Sequence, residues 1–347
     1  MSTKKMRALV LEAPGVFRLK NDIPVPIPKN NEVLLRVKAV GICGSDIPRI
    51  MVTGAYHHPL IPGHEFSGEV VSVGKEVKEE LIGMRATIYP LIPCNSCRWC
   101  KEGLYNLCNN YDYVGSRRDG AFAEYVCVPA SNLVHIPENV SFENAALTEP
   151  AAVAFHGLKN AGLKEGDKVV IFGAGTIGLI LCQIAKLLGA GSVLIVDIIN
   201  QKLEIAQRHG WAETVDASKV NVIKEISSKF PHGADLVIDT SGTSIALYQA
   251  ITIVRKHGRI LLVGNAHHDI KIPQQSFDNI LRCELHLIGT WNSIIHEEWK
   301  QIIQWMSSGE INVEPIITHR ISLDELPQFI QLMYKKKIIY GKVLVII

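Results

Sequence analysis

Four cysteines fall within fifteen residues, spaced Cys94-x2-Cys97-x2-Cys100-x7-Cys108. Four thiolates this close can complete a tetrahedral shell with no open position, which is how structural zinc is held. An iron–sulfur cluster would take the same ligands, but nothing else in the chain points to electron transfer. A second set is dispersed: Cys43 in GICGSD, His64 and Glu65 in PGHEFSG, and Glu149 in LTEPAA. Catalytic zinc needs three protein ligands and one open position for water or a substrate oxygen. Spacing alone does not prove this second site. Taken alone, Cys43 is more often a buried core thiol and His64 more often a hydrogen-bonded turn histidine, and the flanking prolines and glycines are ordinary turn punctuation.

A third stretch bears chemistry of another kind. Val169 to Phe172 is strand-forming, and Gly173-Ala-Gly175-Thr-Ile-Gly178 follows as a tight turn. A helical pattern then runs to Leu188, a second strand spans Val193 to Val196, and Asp197 stands 19 residues past Gly178. This is the dinucleotide-binding fingerprint in its full context. Gly173 permits the turn, Gly175 lets backbone N–H groups approach a pyrophosphate, and Gly178 lets the helix pack on its strand. The pyrophosphate belongs at the helix N-terminus, where unpaired N–H groups and the dipole favour negative charge. Gly173, Gly175, Thr176, Ile177, Gly178, Asp197 and Lys202 are the candidate cofactor contacts. Asp197 would accept from the ribose hydroxyls and repel a 2′-phosphate, which favours NAD over NADP.

The elements that must position these residues differ along the chain. Residues 1–150 read as short strands with irregular insertions, best seen in EVLLRVKAV from Glu32 to Val40, and suggest a small β-barrel. From Ala151 the texture changes to alternating strands and helices. Strands are expected at Lys168–Phe172, Val193–Asp197, Glu213–Val215, Ala234–Asp239, Arg259–Val263 and Leu285–Ile288, an α/β pattern that fits a doubly wound parallel sheet over 151–289. Two amphipathic helices, Glu297–Ser307 and Leu323–Tyr334, and a final strand, Gly341–Ile347, follow. Residues 290–347 are expected to return to the first domain.

The chain has 347 residues, enough for two domains, and 47% of them are hydrophobic. Its formal net charge is +2, with no basic tract, so nucleic acid is not the expected partner. No apolar run reaches membrane-spanning length, and the run ending at Glu12 is too short for a signal peptide. The cysteines outside the 94–108 group are scattered, which argues for reduced thiols and metal in a soluble, cytoplasmic protein.

Taken in order, CGSD, GHEFSG, the four-cysteine loop, TEP before the nucleotide region and GAGTIG resemble the zinc-dependent medium-chain dehydrogenase/reductase family, in its polyol dehydrogenase branch. The resemblance spans the whole chain. It implies a GroES-like β-barrel catalytic domain joined to a Rossmann domain, with the active site in the cleft between them, NAD as cofactor, and two zinc ions per chain. By that resemblance Cys43, His64 and Glu149 are catalytic zinc ligands, Glu65 either supports a ligand from behind or is an alternate ligand, and Cys94, Cys97, Cys100 and Cys108 hold the structural zinc. Zinc would polarise a substrate hydroxyl, Ser45 would take its proton into a relay, and hydride would pass to the nicotinamide.

CGSDIPRI (43–50), YDYVGSRRDGAFAEY (111–125), LVGNAHHDI (262–270) and IGTW (288–291) resemble, more narrowly, members that oxidise sugar-alcohol phosphates. A phosphorylated substrate needs a cationic subsite, for which Arg49, Arg117 and Arg118 are the candidates. Two departures stand out. Many members continue the first motif with a His that finishes the proton relay, where this chain has Pro48. Sorbitol dehydrogenases carry an Arg after the position of Gly289, where this chain reads Thr-Trp-Asn-Ser, which argues against plain sorbitol. Other readings are a dehydrogenase of arabitol phosphate or of unphosphorylated polyols and secondary alcohols, a non-catalytic NAD-binding protein, and a zinc-loop interaction module. A homodimer or homotetramer is expected by resemblance.

Overall fold

The computed structural model describes residues 4–266, 268–295 and 297–347. His267, part of the 262–270 stretch, lies outside the described residues. The chain divides into two compact units, residues 1–149 with 294–347, and residues 150–293.

The first unit is organised on the strand Glu32–Gly41. Its alternating apolar side chains (Val33, Leu35, Val37) are fully buried, and every second position faces the other way. Along one edge it pairs antiparallel with Glu65–Val73. Along the other it pairs first with Tyr125–Pro129 and then, at its C-terminal end, with Lys342–Ile346. The sheet runs Ile317–Ser322, Lys342–Ile346, Glu32–Gly41, Glu65–Val73, Arg85–Ile88 and Leu133–His135. Phe66, Val70, Phe122, Val126, Val343 and Val345 fill its core, and burial of each such side chain is worth roughly 1.5–3 kcal/mol. The last segment of the chain supplies two of these strands, so it is part of the same sheet.

Three features of this unit differ from the sequence reading. The strand Ile317–Ser322 was not expected: its buried Ile317 and Ile321 are four apart, with polar residues between them, so strand alternation is weak. The helix expected from Leu323 begins at Leu326, with Pro327 in its first turn, where a missing N–H costs nothing. Residues 46–53 form a short helical turn, Asp46–Pro48, continued by a wide π-type turn, Arg49–Thr53. π-type turns occur frequently at functional sites.

The second unit holds a six-stranded parallel sheet. Its strands are β1 (Lys168–Phe172), β2 (Ser192–Asp197), β3 (Glu213–Asp216), β4 (Ala234–Asp239), β5 (Val254–Leu262) and β6 (His286–Gly289). Their spatial order is β3-β2-β1-β4-β5-β6. The runs Val169–Phe172 and Val193–Val196 are buried throughout, as strands covered by helices on both faces must be. β5 starts five residues earlier than the pattern suggests, directly after the helix Ser244–Ile253, and bends at His257, whose φ is +54°. The order reverses between β1 and β4. Ligands of such sheets bind beyond the strand C-termini at that point. No helix among the described residues is long and apolar enough to cross a membrane.

Candidate active site and metal centres

The four-cysteine loop folds as two short turns, Arg98–Lys101 and Tyr105–Leu107, that bring the thiols to one point. The Sγ separations are 3.6 Å for Cys97–Cys100, 3.9 Å for Cys97–Cys108 and 4.0 Å for Cys94–Cys100. Zn–S bonds of about 2.3 Å in a tetrahedron place sulfurs about 3.8 Å apart, so the donor set fits zinc without rearrangement. Backbone N–H groups already point at the sulfurs: Cys94 N donates to Cys108 Sγ at 3.3 Å and Cys97 N to Cys94 Sγ at 3.4 Å. Hydrogen bonds from Ser96 and from the Cys97 N–H bring the Cys94 thiol down to about 5, favouring the thiolate a metal requires.

The second group is assembled by sheet register. Gly41 sits opposite Glu65, and Leu344 sits opposite Gly41 on the other side. A Cβ at Gly41 would lie 2.2 Å from Glu65 Oε2, so only glycine leaves room for this carboxylate. Cys43 and His64 flank the same strand ends, and donor atoms of Cys43, His64 and Glu65 all lie within 4.8 Å of one another. Thiolate, imidazole and carboxylate form a donor set that suits zinc. Glu149 does not join that mutual group. It is buried beside it, receives the Tyr113 hydroxyl on Oε1 at 3.4 Å, and its carboxyl is pushed upward by burial, with the Glu65 charge adding to the effect. The structure thus brings three of the four expected donors together and sets the fourth next to them. Ser45 Oγ donates to Cys43 Sγ at 3.3 Å, which puts the expected relay hydroxyl at the ligand. Pro48 closes the short turn at Asp46–Pro48.

Three residues around this group were not singled out in the sequence. Asp46 is completely buried. Its Oδ1 lies 3.2 Å from His64 Nδ1 and accepts from Arg49 Nη1 at 2.8 Å, and its Oδ2 accepts from the Cys43 N–H at 3.2 Å. The His64 contact is close in distance, though its angle falls short of a formed hydrogen bond. With Nδ1 turned to Asp46, Nε2 is left as the metal donor, the usual carboxylate–histidine arrangement of zinc sites. Burial alone would raise the Asp46 carboxyl, but the His64 and Arg49 charges hold it below the ordinary range. Lys342 is also buried, and its Nζ donates to Glu65 Oε2 at 2.5 Å and to Ile42 O at 3.2 Å. Tyr113 sets its ring edge against His64 at 5.7 Å between centroids. Asp46 could have been found in the CGSD motif. Lys342, 277 positions from Glu65, could not.

The phosphate candidates are spent differently. Arg49 is held by Asp46. Arg118 makes an ion pair with buried Glu32, Nη2 to Oε1 at 2.6 Å. Arg117 stacks between Tyr56 and Tyr111, 4.1 and 4.2 Å from the two ring centroids.

In the second unit, Gly173 has φ +101°, and a Cβ there would meet Thr240 Oγ1 at 2.4 Å. A Cβ at Gly178 would lie 1.9 Å from Gly173 O. Nothing lies within 4 Å of a Cβ at Gly175, which leaves space for a ligand at the start of the helix Thr176–Leu187. That opening, at the first turn of a helix where backbone N–H groups face outward, fits a pyrophosphate. Asp197 Oδ2 accepts from the Ala174 N–H at 2.6 Å and Oδ1 from the Ile199 N–H at 2.9 Å, so this acid also pins the glycine turn. Lys202 lies near enough to feel its charge, although burial lowers the amine.

The family described as "Alcohol dehydrogenase GroES-like domain" matches residues 29–138, and "Zinc-binding dehydrogenase" matches 176–308. Galactitol 1-phosphate 5-dehydrogenase of Escherichia coli K12 is 34% identical, over 98% of this chain and all of that protein. The chain belongs to the zinc-dependent medium-chain dehydrogenase/reductase family. It is an oxidoreductase with a GroES-like and a Rossmann unit, dependent on zinc and a nicotinamide dinucleotide. The crystal structure of galactitol-1-phosphate dehydrogenase from Escherichia coli superposes with a TM-score of 0.92 at 35% identity, covering 99% of this chain and 100% of that one. L-threonine 3-dehydrogenase of Rhizobium johnstonii is 36% identical over 92% of this chain and 93% of its own length. A short chain alcohol dehydrogenase from Escherichia coli CFT073 complexed with NADH gives a TM-score of 0.91 at 29% identity, covering both chains fully.

Proposed function

We propose that this protein oxidises a secondary hydroxyl of a sugar-alcohol phosphate with NAD, converting galactitol 1-phosphate to tagatose 6-phosphate. The observation that carries the chemistry is the Cys43–His64–Glu65 donor group with Asp46 behind His64. The full-length similarity to the Escherichia coli galactitol 1-phosphate enzyme supports the substrate. Asp197, standing at the end of β2, supports NAD over NADP.

When bound, zinc supplies a Lewis acid for the substrate oxygen and NAD an acceptor for the hydride. The chain's own residues do the rest. Cys43 and His64 supply thiolate and imidazole donors, and Glu149 stands beside them as a further carboxylate. Asp46 faces Nδ1 of His64, so that Nε2 presents its lone pair. Lys342 neutralises Glu65, which would otherwise be an unpaired buried charge. Ser45 receives the hydroxyl proton. As it does so Ser45 hands its own proton on, and with proline at 48 no side chain at that position takes it. The Gly173–Gly178 turn holds the dinucleotide at the Thr176 helix end.

We also propose a cytoplasmic homo-oligomer, a dimer or tetramer. Exposed Phe277 and Leu281 on one helix and Leu287 on edge strand β6 support it. The substrate proposal is tested by initial rates of NADH formation across galactitol 1-phosphate, arabitol phosphates, galactitol, sorbitol and L-threonine. A kcat/KM for galactitol 1-phosphate at least tenfold above the rest is expected. L-threonine or a free polyol as best substrate would overturn it.

A further inference from the structure

Of the three candidate arginines, two already face carboxylates. Arg49 sits on Asp46 and Arg118 on Glu32. Arg117 has no carboxylate partner among the described residues. Its guanidinium is clamped between the rings of Tyr56 and Tyr111, and Nη1 donates to Tyr111 O at 3.2 Å. Its Nε is buried and unpaired. A guanidinium held through its two faces keeps its N–H groups in the plane between the rings, the geometry that meets phosphate oxygens two at a time. A buried donor without an acceptor is unfavourable until an acceptor arrives.

The clamp is joined to the metal group by packed rings. Tyr111 meets Tyr113 edge-on at 6.3 Å between centroids, and Tyr113 meets His64 at 5.7 Å. Arg117 therefore stands two aromatic rings from a metal-donor histidine. A sugar-alcohol phosphate carries its reacting hydroxyl and its charged group toward opposite ends of the molecule, so a cation set apart from the metal group suits it.

We infer that Arg117, held by Tyr56 and Tyr111, is the residue that selects phosphorylated over free sugar alcohols. Arg49 serves Asp46 and His64 instead, and Arg118 serves the fold. This assignment rests on the proposed function.

The test compares initial rates of the zinc-loaded wild type, Arg117→Gln, Arg117→Lys and Arg49→Gln with galactitol 1-phosphate and with galactitol. It also measures the inhibition constant of inorganic phosphate against the ester. In Arg117→Gln the ester-to-polyol ratio of kcat/KM should fall about 10- to 100-fold, the range of one lost charged hydrogen-bonding pair, carried by KM rather than kcat. Phosphate inhibition should weaken by a similar factor. Arg117→Lys should keep part of the ratio, because the charge remains and the fork is lost. Arg49→Gln should slow both substrates alike. A ratio within threefold of wild type in both Arg117 variants, or a ratio that collapses in Arg49→Gln instead, overturns the assignment while leaving the proposed function standing. A wild type indifferent to the phosphate overturns both.

Discussion

Replacing Asp46 by Asn removes one charge and almost no volume, yet the surroundings make it a severe change. The two carboxylate oxygens of Asp46 meet only donors: Arg49 Nη1 at 2.8 Å and His64 Nδ1 at 3.2 Å on Oδ1, and the Cys43 N–H at 3.2 Å on Oδ2. An asparagine has one acceptor and one NH₂ group. With its oxygen toward Arg49 and His64, its NH₂ confronts the Cys43 N–H. Flipped, its NH₂ confronts the Arg49 guanidinium and the His64 ring. Either way a donor faces a donor, and Arg49 loses its counter-charge in a site where Asp46 is 0% exposed. One lost charged hydrogen bond costs about 1.5–3 kcal/mol, and an unpaired, largely buried partner brings the total to about 3 kcal/mol. Removal of the group that orients a metal-bound imidazole typically costs a further 10- to 100-fold in metal affinity. The assay is guanidinium unfolding of the loaded protein together with chelator competition for its two zinc ions. The expected result is a destabilised protein in which only one zinc, the one not held by the four cysteines, has weakened. Stability within about 0.5 kcal/mol of wild type with both zinc affinities unchanged would refute the reasoning, because the donor surround would then carry no energetic weight.

Wild type should bind zinc at both donor groups. Cys43→Ala and Cys97→Ser should each retain one ion by elemental analysis, and only the Cys97 variant should gain protease cleavage within 94–108. Gly178→Ala should lose NADH binding by fluorescence, because its Cβ would lie 1.9 Å from Gly173 O; a dissociation constant within threefold of wild type would count against the turn geometry. Asp197→Ser should raise the NADP-to-NAD ratio of kcat/KM by roughly tenfold or more as the repulsion of a 2′-phosphate is relieved. Glu32 gives a pH signature. Burial works against its charge, but Arg118 and the Lys29 N–H hold its carboxyl below the ordinary range. A depressed folded value means stability that is present above the unfolded carboxyl value of about 4.3 and is lost as pH falls through the folded one. Glu32→Gln should therefore be less stable than wild type at neutral pH, with the gap closing below about pH 4. A gap unchanged between pH 7 and pH 3 would show that the Glu32–Arg118 pair is not its source.

Local sequence carried the nucleotide unit because each of its signals lies within a few residues of its structural consequence. β1 at Lys168–Phe172 and β4 at Ala234–Asp239 coincide with their apolar runs, and the glycine turn is a local sterics problem that only Gly173 and Gly178 solve. The four-cysteine loop was legible for the same reason. The dispersed site was legible through family resemblance and not through spacing, because sheet register builds it. Lys342 reaches Glu65 only through the pairing of Leu344 with Gly41 and of Gly41 with Glu65. Ile317–Ser322 was invisible because its one neighbour in the sheet is the last strand, Lys342–Ile346. The arginines show the limit from the other side. Arg49, Arg117 and Arg118 are alike in sequence, and they are told apart by Asp46, by two tyrosine rings and by Glu32.

The central claim is that the metal held by Cys43 and His64 meets the substrate. Cobalt placed at that position, with zinc kept in the four-cysteine loop, gives a visible spectrum that reports its ligands directly. Titration with galactitol 1-phosphate should shift the cobalt bands at the same concentrations that saturate NADH formation, and Cys43→Ala should abolish both. Unshifted bands at saturating substrate, or undiminished turnover by Cys43→Ala, would contradict the account.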